Sequence, residues 1–168
     1  MTGTGSSYTV TVATGSGDGT LGLNLVDDDS IADSSTNKLG GTGTGNGSFT
    51  GPTYTIDKSA PQLTSLVMLD SNGNGKVDHV QATFNETIQT STATSPWSLT
   101  SVPSSGTLQS VSTSGTVASL TIAESSPATA DTSVGSFKVA LAASSSGIRD
   151  QAGNQASFAA TLSVLGRY

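Results

Sequence analysis

The stretch with the clearest chemical potential is Asp70-Ser71-Asn72-Gly73-Asn74-Gly75-Lys76-Val77-Asp78. Carboxylate or amide side chains stand at its positions 1, 3, 5 and 9, with Gly75 at position 6. Calcium takes about six to eight hard oxygen ligands at about 2.3–2.6 Å, and this spacing can wrap a short loop round one ion. Gly75 permits the sharp turn, and the Lys76 carbonyl supplies the seventh position. Asp70, Asn72, Asn74, Lys76 and Asp78 are therefore the candidate metal ligands, and calcium is the expected cofactor. Position 12 is Gln81, which cannot give the bidentate carboxylate of a helix–loop–helix site. The flanks 63–69 and 77–84 read as strands, so the loop sits on a β framework. Two carboxylates suit weak binding of the extracellular kind, on the order of 10⁻⁴–10⁻³ M. A plain hairpin turn is the other reading, because Asn-Gly between alternating apolar residues is the strongest short hairpin signal. The two are compatible, since a hairpin tip can hold an ion.

A second acidic group is Asp27-Asp28-Asp29 with Asp33, which Asp18 could join. Adjacent carboxylates repel one another, and a cation would relieve that repulsion; a solvated loop after a strand over 21–26 is the simpler and favoured reading. Asp57 stands where two modules would join, and an ion shared between it and a neighbouring loop would stiffen a multi-module protein. Other motifs carry less. Gly17-Asp18-Gly19-Thr20-Leu21-Gly22 fits a dinucleotide-binding pattern but precedes a strand and opens no helix, which removes the phosphate-cradling geometry. His79 is the sole histidine, with no G-x-S-x-G nucleophile elbow to partner it, and reads as a surface residue beside a turn. Glu86 and Glu124 are the only glutamates, and nothing in the sequence pairs them for catalysis. Lys138 alternates against Phe137, Val139 and Leu141, which puts it in water rather than in a buried Lys–Asn crosslink. No catalytic constellation emerges, and no enzyme is expected.

The elements that must position these groups are strands. Tyr8, Val10 and Val12 alternate with Thr; Leu21, Leu23 and Leu25 alternate with Gly and Asn; Val80, Ala82 and Phe84 alternate with Gln and Thr. Period 2 with Gly, Asn or Ser clusters roughly every 8–12 residues points to an antiparallel sandwich. No window shows helical periodicity, so the class is all-β. Among 168 residues there are 29 Ser, 26 Thr and 20 Gly but only 11% charged residues, with acids outnumbering bases 12 to 6. Six scattered cations make no basic stripe for a nucleic acid, and no run approaches the roughly 18 apolar residues of a membrane-spanning helix. Cysteine is absent, so neither disulfides nor thiolate metal sites are available.

Two segments repeat the same features in the same order. The alternating run 8–12 matches 137–141, and Ile31-Ala32-Asp33 with Asn37 matches Ile148-Arg149-Asp150 with Asn154. Phe49 then leads into Tyr54-Thr55-Ile56, as Phe158 leads into Thr161-Leu162-Ser163-Val164. Residues 59–168 have roughly the 100 residues that a complete seven-stranded sandwich needs. Residues 1–58 match only its last third and read as the C-terminal half of a preceding module, or as a strand-complementing segment. Pro61 marks the junction, because proline cannot donate to a strand ladder.

The junction Tyr54-Thr55-Ile56-Asp57-Lys58-Ser59-Ala60-Pro61, the stretch Gly147-Ile148-Arg149-Asp150-Gln151-Ala152-Gly153-Asn154 and the glycine-rich run 41–51 resemble the bacterial immunoglobulin-like repeats of large secreted surface proteins and adhesins. The resemblance spans nearly the whole sequence through short motifs. It implies an immunoglobulin-like β-sandwich in an extracellular, cell-surface spacer, adhesive or assembly role, with neighbouring modules or copies of itself as partners. Recognition of a surface glycan or host surface through loops at the sandwich end is the alternative; an aromatic content of 5% weighs against it.

Overall fold

The computed structural model describes residues 1–125, 136–159 and 165–167. Two compact units divide the protein, Met1–Lys58 and Ser59–Tyr168. Every regular element among the described residues is a strand, apart from a single 3-10 turn over Pro103–Ser105.

In the first unit, β1 (Thr2–Thr4) and β2 (Ser7–Thr9) form a short antiparallel hairpin. Strand β3 (Gly19–Leu25) pairs antiparallel with β4 (Phe49–Ile56), with Gly19 opposite Ile56 and Leu25 opposite Phe49. The strand expected through Val12 stops at Thr9, because residues 10–18 have no ladder partner. Tyr8 is 59% exposed, and Val10 and Val12 are exposed too. Alternation creates a strand only where a pairing partner exists.

The second unit combines paired strands with an apolar core. Five strands pair in the order β11-β5-β6-β9-β8, and β10 pairs with β7. Their ranges are β5 Leu63–Leu69, β6 His79–Phe84, β7 Trp97–Thr100, β8 Thr107–Ser114, β9 Val117–Ala123, β10 Lys138–Leu141 and β11 Leu165–Arg167. All pairings are antiparallel except β11 with β5. The strand read over 161–164 lies outside the described residues. One continuous core joins the inward faces of both sheets: Leu66, Met68, Val80, Ala82, Phe84, Val111, Leu120 and Ile122 from the larger, Trp97, Val139 and Leu141 from the smaller. Two sheets, antiparallel except at β11, over one shared core are consistent with a β-sandwich. Trp97 packs edge-on against Phe158, with ring centroids 5.9 Å apart and planes at 72°. Lys138 is exposed while Phe137, Val139 and Leu141 are buried. No helix among the described residues is long and apolar enough to cross a membrane.

Candidate metal centre

Strands β5 and β6 run antiparallel with Leu69 opposite His79, and residues 70–78 form the connection between them. Asp70 organises the loop. Its Oδ1 accepts the N–H groups of Gly73 and Asn74 at 2.8 and 3.1 Å, and its Oδ2 accepts that of Gly75 at 2.8 Å. Asn72 and Asn74 each turn a side-chain oxygen onto the backbone two residues on, accepting from Asn74 N at 3.0 Å and Lys76 N at 2.9 Å. Asx turns of this kind are why Asn and Asp favour loops over ladders. Gly73 and Gly75 have φ of 71° and 83°, a conformation with little cost only for glycine. Lys76 extends its ammonium to the Ser125 carbonyl at 3.1 Å.

Asp78 closes the loop. Its Oδ1 accepts the Ser71 N–H at 2.9 Å and lies 2.9 Å from His79 Nδ1. Burial alone would raise its carboxyl pKa, but the Ser71 hydrogen bonds and the neighbouring His79 outweigh that and hold it below the ordinary value. His79 itself is about a third exposed.

The structure adds Glu124 to these residues. One carboxylate oxygen accepts Asn72 Nδ2 at 2.8 Å and the other accepts Asn74 Nδ2 at 2.7 Å. Its position follows from register. His79 pairs with Thr121, and Ile122 N donates to the Asp78 carbonyl at 2.7 Å, so the residue just past β9 is carried to the tip of the β5–β6 loop. No local sequence signal connects Glu124 with Asn72, 52 positions away. The side-chain oxygens of Asp70, Asn72, Asn74 and Glu124 accept N–H donors, and among the described residues Asp70, Asp78 and Glu124 do not gather three carboxylate oxygens within 4.8 Å.

Elsewhere in the same unit, Glu86 and Asp150 bring carboxylate oxygens within 4.8 Å of one another. Asp150 is 1% exposed. Its Oδ1 accepts Asn154 N at 2.9 Å and its Oδ2 accepts Asn154 Nδ2 at 2.7 Å.

The acidic run of the first unit is not a solvated loop throughout. Asp27 is 3% exposed, because it ties the glycine-rich segment down: Oδ1 accepts Asp29 N at 3.1 Å and Oδ2 accepts Gly47 N at 3.0 Å. Asp29 accepts Gly43 N through Oδ2 at 3.1 Å, while its buried Oδ1 meets no donor. Asp28 is exposed, and its hydrogen bonds from Ser30 lower its pKa. Asp18 stands apart from this group and accepts the Lys58 N–H at 2.6 Å. Asp33 accepts Asn37 N and Nδ2, each at 2.9 Å; the Asn37 amide group, then its backbone, lower the Asp33 pKa.

The segments 31–39 and 148–156 form the same hydrogen-bonded loop. Asp33 N donates to Asn37 O as Asp150 N donates to Asn154 O, and Leu39 N donates to Ile31 O as Ala156 N donates to Ile148 O. Bridges Ala32–Lys38 and Arg149–Gln155 also correspond. No family model matches this protein, and no curated protein or solved structure matches it.

Proposed function

We propose that this protein is a structural part of an extracellular bacterial surface protein, adhesin or filament, built from immunoglobulin-like modules and stiffened by calcium. The observation that carries this reading is the β5–β6 loop. Asp70, Asn72, Asn74 and Asp78 are held there by backbone hydrogen bonds, and Glu124 adds the acidic group that Gln81 cannot supply. In this reading the Asn72 and Asn74 oxygens, the Lys76 carbonyl and the carboxylates of Asp70, Asp78 and Glu124 turn to the ion. A divalent cation offsets the mutual repulsion of three carboxylates, and it ties the β5–β6 turn to the end of β9. The Glu86–Asp150 pair is a second place for a cation. The protein then serves as a spacer or adhesive element and catalyses no reaction.

Support for modules comes from the matching loops at 31–39 and 148–156. Their surroundings differ: Ile148 is fully buried, whereas Ile31 is 45% exposed. Tyr8, Val10 and Val12 are exposed where Phe137, Val139 and Leu141 are buried. We infer that the first unit completes its sandwich with strands from another copy or a neighbouring module, by β-strand addition.

The calcium reading is tested by calorimetry in millimolar calcium against chelator. An ion that binds only the folded state stabilises by RT ln(1 + [L]/Kd), so the Tm rises with calcium. Asp70→Ala and Asp78→Ala remove that rise, and Glu124→Gln reduces it. Identical melting curves in calcium and chelator overturn the reading.

A further inference from the structure

Asparagine followed by glycine is the dipeptide most prone to spontaneous deamidation, because glycine leaves the next backbone nitrogen unhindered. That nitrogen attacks the asparagine Cγ and a new bond forms between them. The bond from Cγ to Nδ2 breaks, and the glycine N–H proton passes through solvent to Nδ2, which leaves as ammonia. Water then opens the succinimide ring to aspartate or isoaspartate, so the net exchange is amide plus water for acid plus ammonia. The sequence holds three such dipeptides: Asn46-Gly47, Asn72-Gly73 and Asn74-Gly75.

None of the three glycines can be readily replaced. Gly73 and Gly75 have positive φ, and a Cβ on Gly47 would lie 2.7 Å from Leu39 Cγ and 2.9 Å from the Leu39 carbonyl oxygen. The folded protein therefore keeps the vulnerable sequence at all three places, two of them in the loop that the proposed metal site occupies.

In each case the attacking nitrogen donates to an aspartate. Gly73 N–H goes to Asp70 Oδ1 at 2.8 Å, Gly75 N–H to Asp70 Oδ2 at 2.8 Å, and Gly47 N–H to Asp27 Oδ2 at 3.0 Å. Two different aspartates in two different units make the same contact. A hydrogen bond to a carboxylate opposes loss of the N–H proton and must break before that nitrogen can bond the neighbouring Cγ. The asparagine side chains are held as well: Asn72 and Asn74 donate to Glu124, and Asn46 Nδ2 donates to the Thr42 carbonyl at 3.3 Å.

We propose that Asp70 and Asp27 are chemical guards, whose carboxylates hold the glycine amides of Asn72-Gly73, Asn74-Gly75 and Asn46-Gly47 out of succinimide formation. Releasing a guard turns its asparagines into modification sites, each of which gains a negative charge. The inference does not depend on calcium, and its test runs in chelator.

The full-length protein is incubated at mildly alkaline pH, and deamidation at each asparagine is followed by peptide mass spectrometry with isoaspartate detection. The folded protein deamidates at all three sites roughly tenfold to a hundredfold more slowly than the same protein in denaturant, the range expected when a charge-assisted hydrogen bond must first break. Asp70→Ala speeds Asn72 and Asn74 and leaves Asn46 unchanged. Asp27→Ala speeds Asn46 and leaves the other two unchanged. Trp97 fluorescence reports whether the second unit stays folded in Asp70→Ala. If it does not, the comparison of folded and denatured wild type still decides the matter. Equal rates in folded and denatured wild type overturn the proposal. A slower Asn72 in folded Asp70→Ala overturns it too, since the carboxylate would then act as a base that promotes attack.

Discussion

At the scale of single residues, Asp78 shows how a loop carboxylate becomes a stability element. Its pKa is held below the unfolded value of about 3.9. A depressed carboxyl pKa contributes stability that is fully present above the unfolded pKa and is lost as pH falls through the folded one. Acid titration of the melting temperature in chelator therefore shows a loss beginning below about pH 4, in which Asp78 takes part. Asp78→Asn keeps an oxygen for the Ser71 N–H and loses the charge, so its stability changes less steeply across the same range. A variant as steep as wild type removes Asp78 from the account. Glu124 makes the complementary point. It bonds two asparagines, yet its own neighbours in sequence, Ala123 and Ser125, suggest nothing more than a strand end.

At the scale of elements, the same loop is built twice under different cover. Asn154 completes a hydrogen-bond set around Asp150, which is fully buried, whereas Asn37 does so around Asp33 in an exposed loop. Removing a donor from a buried carboxyl group leaves a desolvated acceptor, at a cost of about 1–3 kcal/mol; an exposed acceptor recovers its bond from water. Asn154→Ala therefore lowers stability by about 1–3 kcal/mol in urea titration, and Asn37→Ala shifts it by less than about 0.5 kcal/mol. Equal effects would mean that burial does not set the strength of this loop. The motif was legible from Asp, Asn and their four-residue spacing, because the bonds it makes are local. Its energetic weight was not, because burial depends on what distant strands bring over it.

For the whole molecule, the division of apolar surface sets the behaviour. Every buried hydrophobic residue of the core belongs to the second unit, while Tyr8, Leu23, Phe49 and Tyr54 of the first unit are more than half exposed. Residues 59–168 made alone are expected to fold cooperatively, since their core is drawn entirely from within that range. Exposed apolar strands with open edges invite pairing with other molecules. The full-length protein is expected to associate with rising concentration in size-exclusion chromatography with light scattering, and deletion of residues 1–58 is expected to abolish that association. Head-to-tail addition of this kind builds a filament where its rotation does not close a ring. A full-length protein that stays monomeric across a wide concentration range rules out strand complementation as its normal state.

What the sequence determined by itself was local. Alternation over 80–84 and 137–141 specified strands, because period 2 puts one set of side chains on one face whatever the rest of the molecule does. Asn-Gly and Asp specified the turn at 70–78, because side-chain oxygens and positive φ act within a few residues. The tertiary structure decided the rest. Val10 and Val12 have the alternation of a strand and form none, since a strand needs a partner that its own sequence does not contain. Asp27 is buried and Asp28 exposed in one acidic run. Glu124 reaches the Asp70 loop only through the register of β6 on β9. That register is fixed by burying Val80, Ala82, Ala118 and Leu120 together, and a one-residue slip would turn every one of those side chains to the opposite face.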